Sequence, residues 1–135
     1  MSDFPIVINI PLTPRTKKNH SRIIHVGRAH ALVPSAAYKR FEHDCGLFLP
    51  GRYRICLNEP LNVAYEFRLP THHRIDVPNL IAAMDDILTL YGVISDDNSR
   101  IVFTHDGTYA RYDKKNPGVT ITITPAVIPD GVTLV

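Results

Sequence analysis

The stretch NVAYEFRLPTHHRIDVPNLIAAMDDILTLY, residues 62–91, decides the fold. At its start Val63, Tyr65 and Phe67 alternate with Asn62, Ala64, Glu66 and Arg68, the period of two that marks a half-buried strand. From residue 78 the period changes. Pro78 suits a first helical turn, where its missing N–H costs nothing, and Leu80, Met84, Ile87, Leu88 and Tyr91 supply one apolar face until Gly92 can end the helix. The spacing therefore predicts a strand over 62–68, a loop holding His72, His73 and Arg74, and a helix over 78–91.

Upstream, the β-branched run over 4–10 reads as a strand ending at Pro11, and residues 13–22 as a polar, basic loop. Residues 23–26 and 30–33 flank Gly27 and Arg28, which read as a hairpin turn because glycine tolerates positive φ. Ser35 can cap a helix whose apolar positions Tyr38, Phe41, Cys45 and Phe48 run to a stop at Pro50 and Gly51. Downstream, Asp96, Asp97 and Asn98 form a turn, 101–104 a strand, and Val119, Ile121 and Ile123 alternate with threonines in a last strand. The elements interleave without a regular βαβ period, so the expected class is α+β: a small single domain over 1–124, a mixed β-sheet with two main helices, and an apolar tail over 125–135.

With 135 residues, 44% of them hydrophobic, the chain is expected to form one domain around one ordinary core. Cys45 and Cys56 form no CxxC pair, so neither a disulfide scaffold nor a structural zinc site is indicated. Asp3 and Pro5 stand where a signal peptide would carry basic residues, and no apolar run approaches the ~20 residues of a membrane span. A cytoplasmic location and no membrane contact are the expectation.

The net charge of +2 hides an uneven distribution. From Arg15 to Arg54 nine basic residues face only Glu42 and Asp44, which leaves −5 for the remainder. Between Asp76 and Asp106, six aspartates are offset only by Arg100. The basic third includes Arg15, Lys17, Lys18 and Arg22 beside Asn19, His20 and Ser21, all able to contact phosphate oxygens; a solvated loop is the plain alternative. Aromatic residues are few and not interleaved with these cations, which disfavours a base-stacking platform for single strands.

In the acidic centre, Asn79, Ala82 and Asp86 share a helix face, Asp76 precedes that helix and Asp96 and Asp97 follow it. Clustered carboxylates repel one another unless their pKa values rise or a cation joins them, and an oxygen-only set favours Mg²⁺ or Mn²⁺. The alternative is a solvated turn and a surface aspartate. Geometry constrains the first reading: a helix of ~14 residues spans about 21 Å, and an extended return from Gly92 to Asp97 covers at most ~20 Å, so Asp76 and Asp97 can only just meet, within a chain or across a dimer. His72 and His73 point apart in an extended segment, and His105 reads as a loop histidine or an acid/base group at a strand end.

The order of these residues is specific. His73-Arg74-Ile75-Asp76-Val77-Pro78-Asn79-Leu80, then Asp86-Ile87-Leu88, Tyr91-Gly92-Val93-Ile94 and Asp96-Asp97 resemble the signature of the RusA-type Holliday-junction resolvases. The resemblance extends upstream through Lys17-Lys18-Asn19 and downstream to about residue 124. It implies a small Mg²⁺-dependent endonuclease, homodimeric, that cuts four-way DNA junctions in recombination and repair, often encoded by phages or prophages. The family pattern, Arg-x-Asp-x-Asp-Asn-Leu-x-x-Lys with a later Asp-Asp pair, puts Asp76 at the first Asp and Asp96 and Asp97 at the later pair; Asn79 and Asp86 also match. Pro78 stands where the family has its second Asp, and Ala82 where it has the Lys.

The resemblance thus implies Asp76, Asp86, Asp96 and Asp97 as catalytic residues, Asp76 and Asp97 as Mg²⁺ ligands, and Arg15, Lys17, Lys18, Asn19, Arg22, Arg74 and Asn79 as DNA contacts. Two outcomes follow from the departures. Either the site is rebuilt, with Asp76, Asp97 and a further carboxylate from Asp86 or Asp96 as ligands and Arg74 or Lys17 as the cation, or catalysis is lost and the chain binds branched DNA without cutting. The retained carboxylates argue for an enzyme, because without a metal they repel phosphates. A small interaction module with no nucleic-acid role is the third expectation.

Overall fold

A computed structural model describes residues 4–17 and 35–135 and, as backbone, the strands 22–26 and 29–33. The elements run β1 (Ile6–Ile10), β2 (Arg22–Val26), β3 (Ala29–Val33), α1 (Ala36–Cys45), β4 (Leu61–Leu69), α2 (Val77–Leu90), β5 (Val102–Thr104), β6 (Tyr109–Tyr112) and β7 (Gly118–Pro125). The main sheet is ordered β1-β7-β4, and the far edge of β4 is shared by β5 and β6. β1 and β4 lie antiparallel to β7, while β5 and β6 run parallel to β4. That mixed sheet with two helices is the expected α+β class. A parallel neighbour needs a crossover, and α2 supplies it between β4 and β5.

The alternation in 62–68 sets the core. Across the three central strands, Ile10, Val119 and Phe67 form one row, Ile8, Ile121 and Tyr65 the next, and Ile6, Ile123 and Val63 a third. Apart from the partly exposed edge residue Ile6, these side chains are buried in one cluster with Tyr38, Phe41 and Cys45 of α1 and Leu80, Met84, Ile87 and Leu88 of α2. Each large apolar side chain removed from water contributes about 1.5–3 kcal/mol before entropy is counted, so this single cluster holds the domain together.

β2 and β3 pair as a separate antiparallel hairpin with His25 opposite His30. α1 starts as expected, with the Ser35 hydroxyl accepting from the Tyr38 N–H at 3.2 Å. It ends earlier than its apolar spacing predicts: the chain tightens into a 3₁₀ turn over Gly46–Phe48, leaving Phe48 outside the α-helix. β6 was absent from the sequence reading, because Tyr109, Ala110, Arg111 and Tyr112 do not alternate and lie exposed or half-buried on an edge. Arg68 keeps its outward place in the alternation, on the same face as Glu66, Thr120 and Asn9, but is covered there by its own hydrogen bonds. It is 8% exposed, and its guanidinium donates to Glu66, Thr120, Asn9 and the Asn116 carbonyl.

At the end of α2, Gly92 takes φ +70°, and Val93 and Ile94 are buried, so the chain turns back and stays packed against the core. The tail past β7 is attached through the Ala126 N–H to the Pro60 carbonyl and through Arg100 Nε to the Val135 carbonyl. Among the described residues no helix is long and apolar enough to cross a membrane.

Candidate active site

α2 positions two of the sequence-predicted aspartates at different heights, Asp76 at its N-cap and Asp86 in its interior. Asp76 is the N-cap residue, yet its carboxylate makes no cap hydrogen bond; Oδ2 accepts only a long 3.4 Å bond from the Asn79 amide. An N-cap aspartate usually binds the first free helical N–H groups, which the Asp76 carboxylate does not do. Asp86 lies ten residues along the helix, about 15 Å away along the axis.

Asp86 is where the segments converge. Lys17, 69 residues upstream, donates to Asp86 Oδ2 at 2.7 Å. The Asp97 carboxyl lies within hydrogen-bonding reach of Asp86, and this pushes its pKa up to about 6; burial and then Asp96 add to the shift. The physical cause is that two adjacent carboxylates cannot both ionise cheaply, so Asp97 gives up its proton only about two pH units above the ordinary value of 3.8. Asp96 behaves oppositely. Its Oδ1 accepts from the Asp97 N–H at 2.7 Å and its Oδ2 from the Asn98 amide at 3.1 Å, which hold its pKa below the ordinary value. Asp96 thereby builds the turn that presents Asp97.

Behind this exposed pair is a buried one. Asp85 is 8% exposed, accepts from the Tyr65 hydroxyl at 2.6 Å on Oδ1, and from His105 Nε2 at 2.8 Å on Oδ2. A carboxylate acceptor fixes the Nε2–H tautomer of His105. The rings of Tyr65 and His105 stack at 6.1 Å. Burial raises the Tyr65 phenol well above its usual pKa, with Asp85, Asp86 and Asp97 adding to it, so Tyr65 remains a donor. Asp85 and Tyr65 were not singled out in the sequence. A signal existed: Asp85 is four residues after Ile81 and three before Leu88, on the apolar stripe, where an aspartate needs buried partners.

The cations divide. Lys17 joins Asp86, whereas Arg74 and the exposed Arg15 line a 430 Å³ cleft beside the N-terminal end of α2. Asp76 and Arg74 also line a neighbouring cleft of 530 Å³. Asn79 keeps its amide on Asp76. Lys18 and Asn19 lie outside the described residues, and of Arg22 only the backbone, in β2, is described.

The expected convergence of Asp76 with Asp97 is replaced by that of Asp86 with Asp97. Among the described residues no three His, Cys, Asp or Glu side chains are grouped to hold one metal ion. Two carboxylates remain a sufficient protein contribution for Mg²⁺, which keeps several waters and often takes only one or two carboxylates. The raised pKa of Asp97 comes first from Asp86, a repulsion that a cation would relieve, and both side chains offer oxygen donors of the kind Mg²⁺ takes. No protein-family model matches this chain, and no curated protein matches it.

Proposed function

We propose that this chain is a RusA-like, Mg²⁺-dependent endonuclease that cuts four-way DNA junctions as a homodimer, with its site rebuilt around Asp86, Asp97 and Lys17. The single observation that carries the reading is the meeting of two carboxyls and an ammonium from three separate segments, Lys17 at 2.7 Å from Asp86 and Asp97 close enough to Asp86 for its pKa to be raised. Lys17 takes over from the family's lysine. Position 82 is one helical turn before Asp86, so a lysine there would reach the region where the Lys17 ammonium already sits, 2.7 Å from Asp86.

Asp86 and Asp97 would hold Mg²⁺, or Mn²⁺, which when bound supplies Lewis-acid polarisation of a phosphodiester. The remaining roles belong to the protein. Lys17, oriented by Asp86, offsets negative charge as water attacks phosphorus and the P–O3′ bond breaks, leaving a 5′-phosphate and a 3′-hydroxyl. Asp96 fixes the turn that carries Asp97, and the Asp85–Tyr65–His105 network anchors the helix segment that carries Asp86. Arg15 and Arg74 neutralise flanking phosphates. Two-fold symmetry would set paired sites on opposite strands of a junction.

The test is incubation of a labelled four-way junction with the parent protein and with Asp97→Asn, in Mg²⁺ and in Mn²⁺. The expected result is paired nicks from the parent alone. A gel shift without product at any metal concentration replaces the enzyme with a junction-binding protein, and no shift even at low salt removes DNA from the account.

A further inference from the structure

The cleft at the N-terminal end of α2 sets an aromatic pair, which the proposed cleavage site does not use, beside the phosphate-contacting Arg74 and Arg15. Tyr112 and His72 are 40 residues apart, yet their rings stack with centroids 3.8 Å apart and planes 19° apart. The fold makes this contact. β6 runs parallel to β4 with Tyr112 opposite Leu69, so the chain leaving β4 carries His72 onto the last residue of β6. Tyr112 is 43% exposed and His72 is also exposed, which leaves aromatic surface facing the 530 Å³ cleft that both residues line.

The same cleft is lined by Arg74 and Arg111, against Asp76 as the one acidic lining residue. Arg111 is partly neutralised by Glu66 at 3.5 Å and Asp113 at 3.2 Å; Arg74 forms no ion pair among the described residues. Through His73, Arg74 and Ile75 the cleft continues into the 430 Å³ one that ends at Arg15. A row of guanidiniums beside an exposed aromatic stack matches a ligand that alternates phosphates with flat rings. Duplex DNA keeps its bases stacked on each other, so only an unpaired strand can offer one to a protein ring.

We propose that this groove binds a single strand of nucleic acid, a base stacking on the Tyr112–His72 pair while Arg74, Arg111 and Arg15 contact its phosphates. The inference rests on the nuclease reading for the choice of nucleic acid as ligand and shares Arg15 and Arg74 with it; Tyr112, His72 and Arg111 belong to the groove alone, apart from Asp86, Asp97 and Lys17. It assigns the cleft to the frayed or displaced strand near a branch point.

The experiment is fluorescence anisotropy in EDTA with a labelled oligothymidylate of about 15 nucleotides, set against a duplex of the same length. The parent is expected to prefer the single strand. Tyr112→Ala should weaken single-strand binding about tenfold while changing duplex binding by less than about threefold, and Tyr112→Phe should stay within about twofold of the parent, since stacking on one ring is at stake. Arg74→Ala should lower the slope of log affinity against log salt by about 0.7. Equal affinity of the parent for both forms, no effect of Tyr112→Ala, or an equal loss in Tyr112→Phe overturns the proposal. Junction cleavage without Tyr112-dependent oligonucleotide binding sinks the groove alone, and the reverse result sinks the nuclease reading alone.

Discussion

Asp85 and Asp86 are neighbours in the chain and opposites in the fold. Asp85 is buried, and both its oxygens are met by neutral or proton-donating partners, Tyr65 and His105. Asp86 is half-exposed on the next face of the helix, and its partners are an ammonium and a second carboxyl that resists ionising. The first arrangement satisfies a charge and contributes stability. The second holds like charges together at a cost that is recovered only if a cation or substrate arrives.

The sharpest break in this comparison comes from removing the buried member. Asp85→Ala strands the Tyr65 hydroxyl and the His105 ring, and is expected to lower stability by about 2–4 kcal/mol in denaturant unfolding. Asp97→Asn should do the reverse. It is expected to abolish junction cleavage by about 100-fold or more, as loss of a charged group in the active centre does. Yet it should raise stability at pH 7 by about 0.5–1 kcal/mol, the exposed site limiting the relief of repulsion. If both variants shift stability in the same direction, the contrast between the two aspartates fails.

The pH dependence follows with its sign. The folded pKa of Asp97, about 6, lies above the ordinary carboxyl value of 3.8, so the folded chain binds this proton more tightly than the unfolded chain. Its stabilising contribution is fully present below pH 4 and is lost as pH rises through 6. In metal-free buffer the difference in stability between parent and Asp97→Asn should therefore widen between pH 4 and 7, by no more than about 1 kcal/mol because solvent screens the pair. Tyr65→Phe should cost about 1 kcal/mol, since Asp85 keeps its bond from His105. The smallest effect is expected from Pro78→Asp with Ala82→Lys: a rise in junction cleavage of about threefold, roughly 0.7 kcal/mol of barrier. An unchanged rate would mean that Lys17 already supplies all that a lysine at 82 could.

Legibility in the sequence followed the periodicity. Strand β4 and helix α2 were readable because Val63, Tyr65 and Phe67 repeat at two and Leu80, Met84, Ile87 and Leu88 at three and four, and burial on one face enforces both patterns. β6 was not, because an edge strand with exposed Tyr109, Arg111 and Tyr112 needs no such pattern. The site was half legible. Asp86 and Asp97 were named as catalytic candidates and Lys17 as a basic contact, but their partnership depends on how far the chain folds back after Gly92. The return is arrested by the buried Val93 and Ile94 near the C-terminal half of α2, which puts Asp97 beside Asp86.

Local sequence alone thus determined the α+β class, the Ser35 cap of α1, the apolar faces of the helices, and the separation of a basic third from an acidic centre, because these follow from side-chain period and charge along the chain. Which aspartate pairs with Asp97, which lysine joins them, and which aromatic residues meet at the cleft were decided only by tertiary structure. Those contacts join residues 11, 69 and 40 positions apart. No local pattern encodes them, because they depend on the register of β6 on β4 and on packing against a shared core.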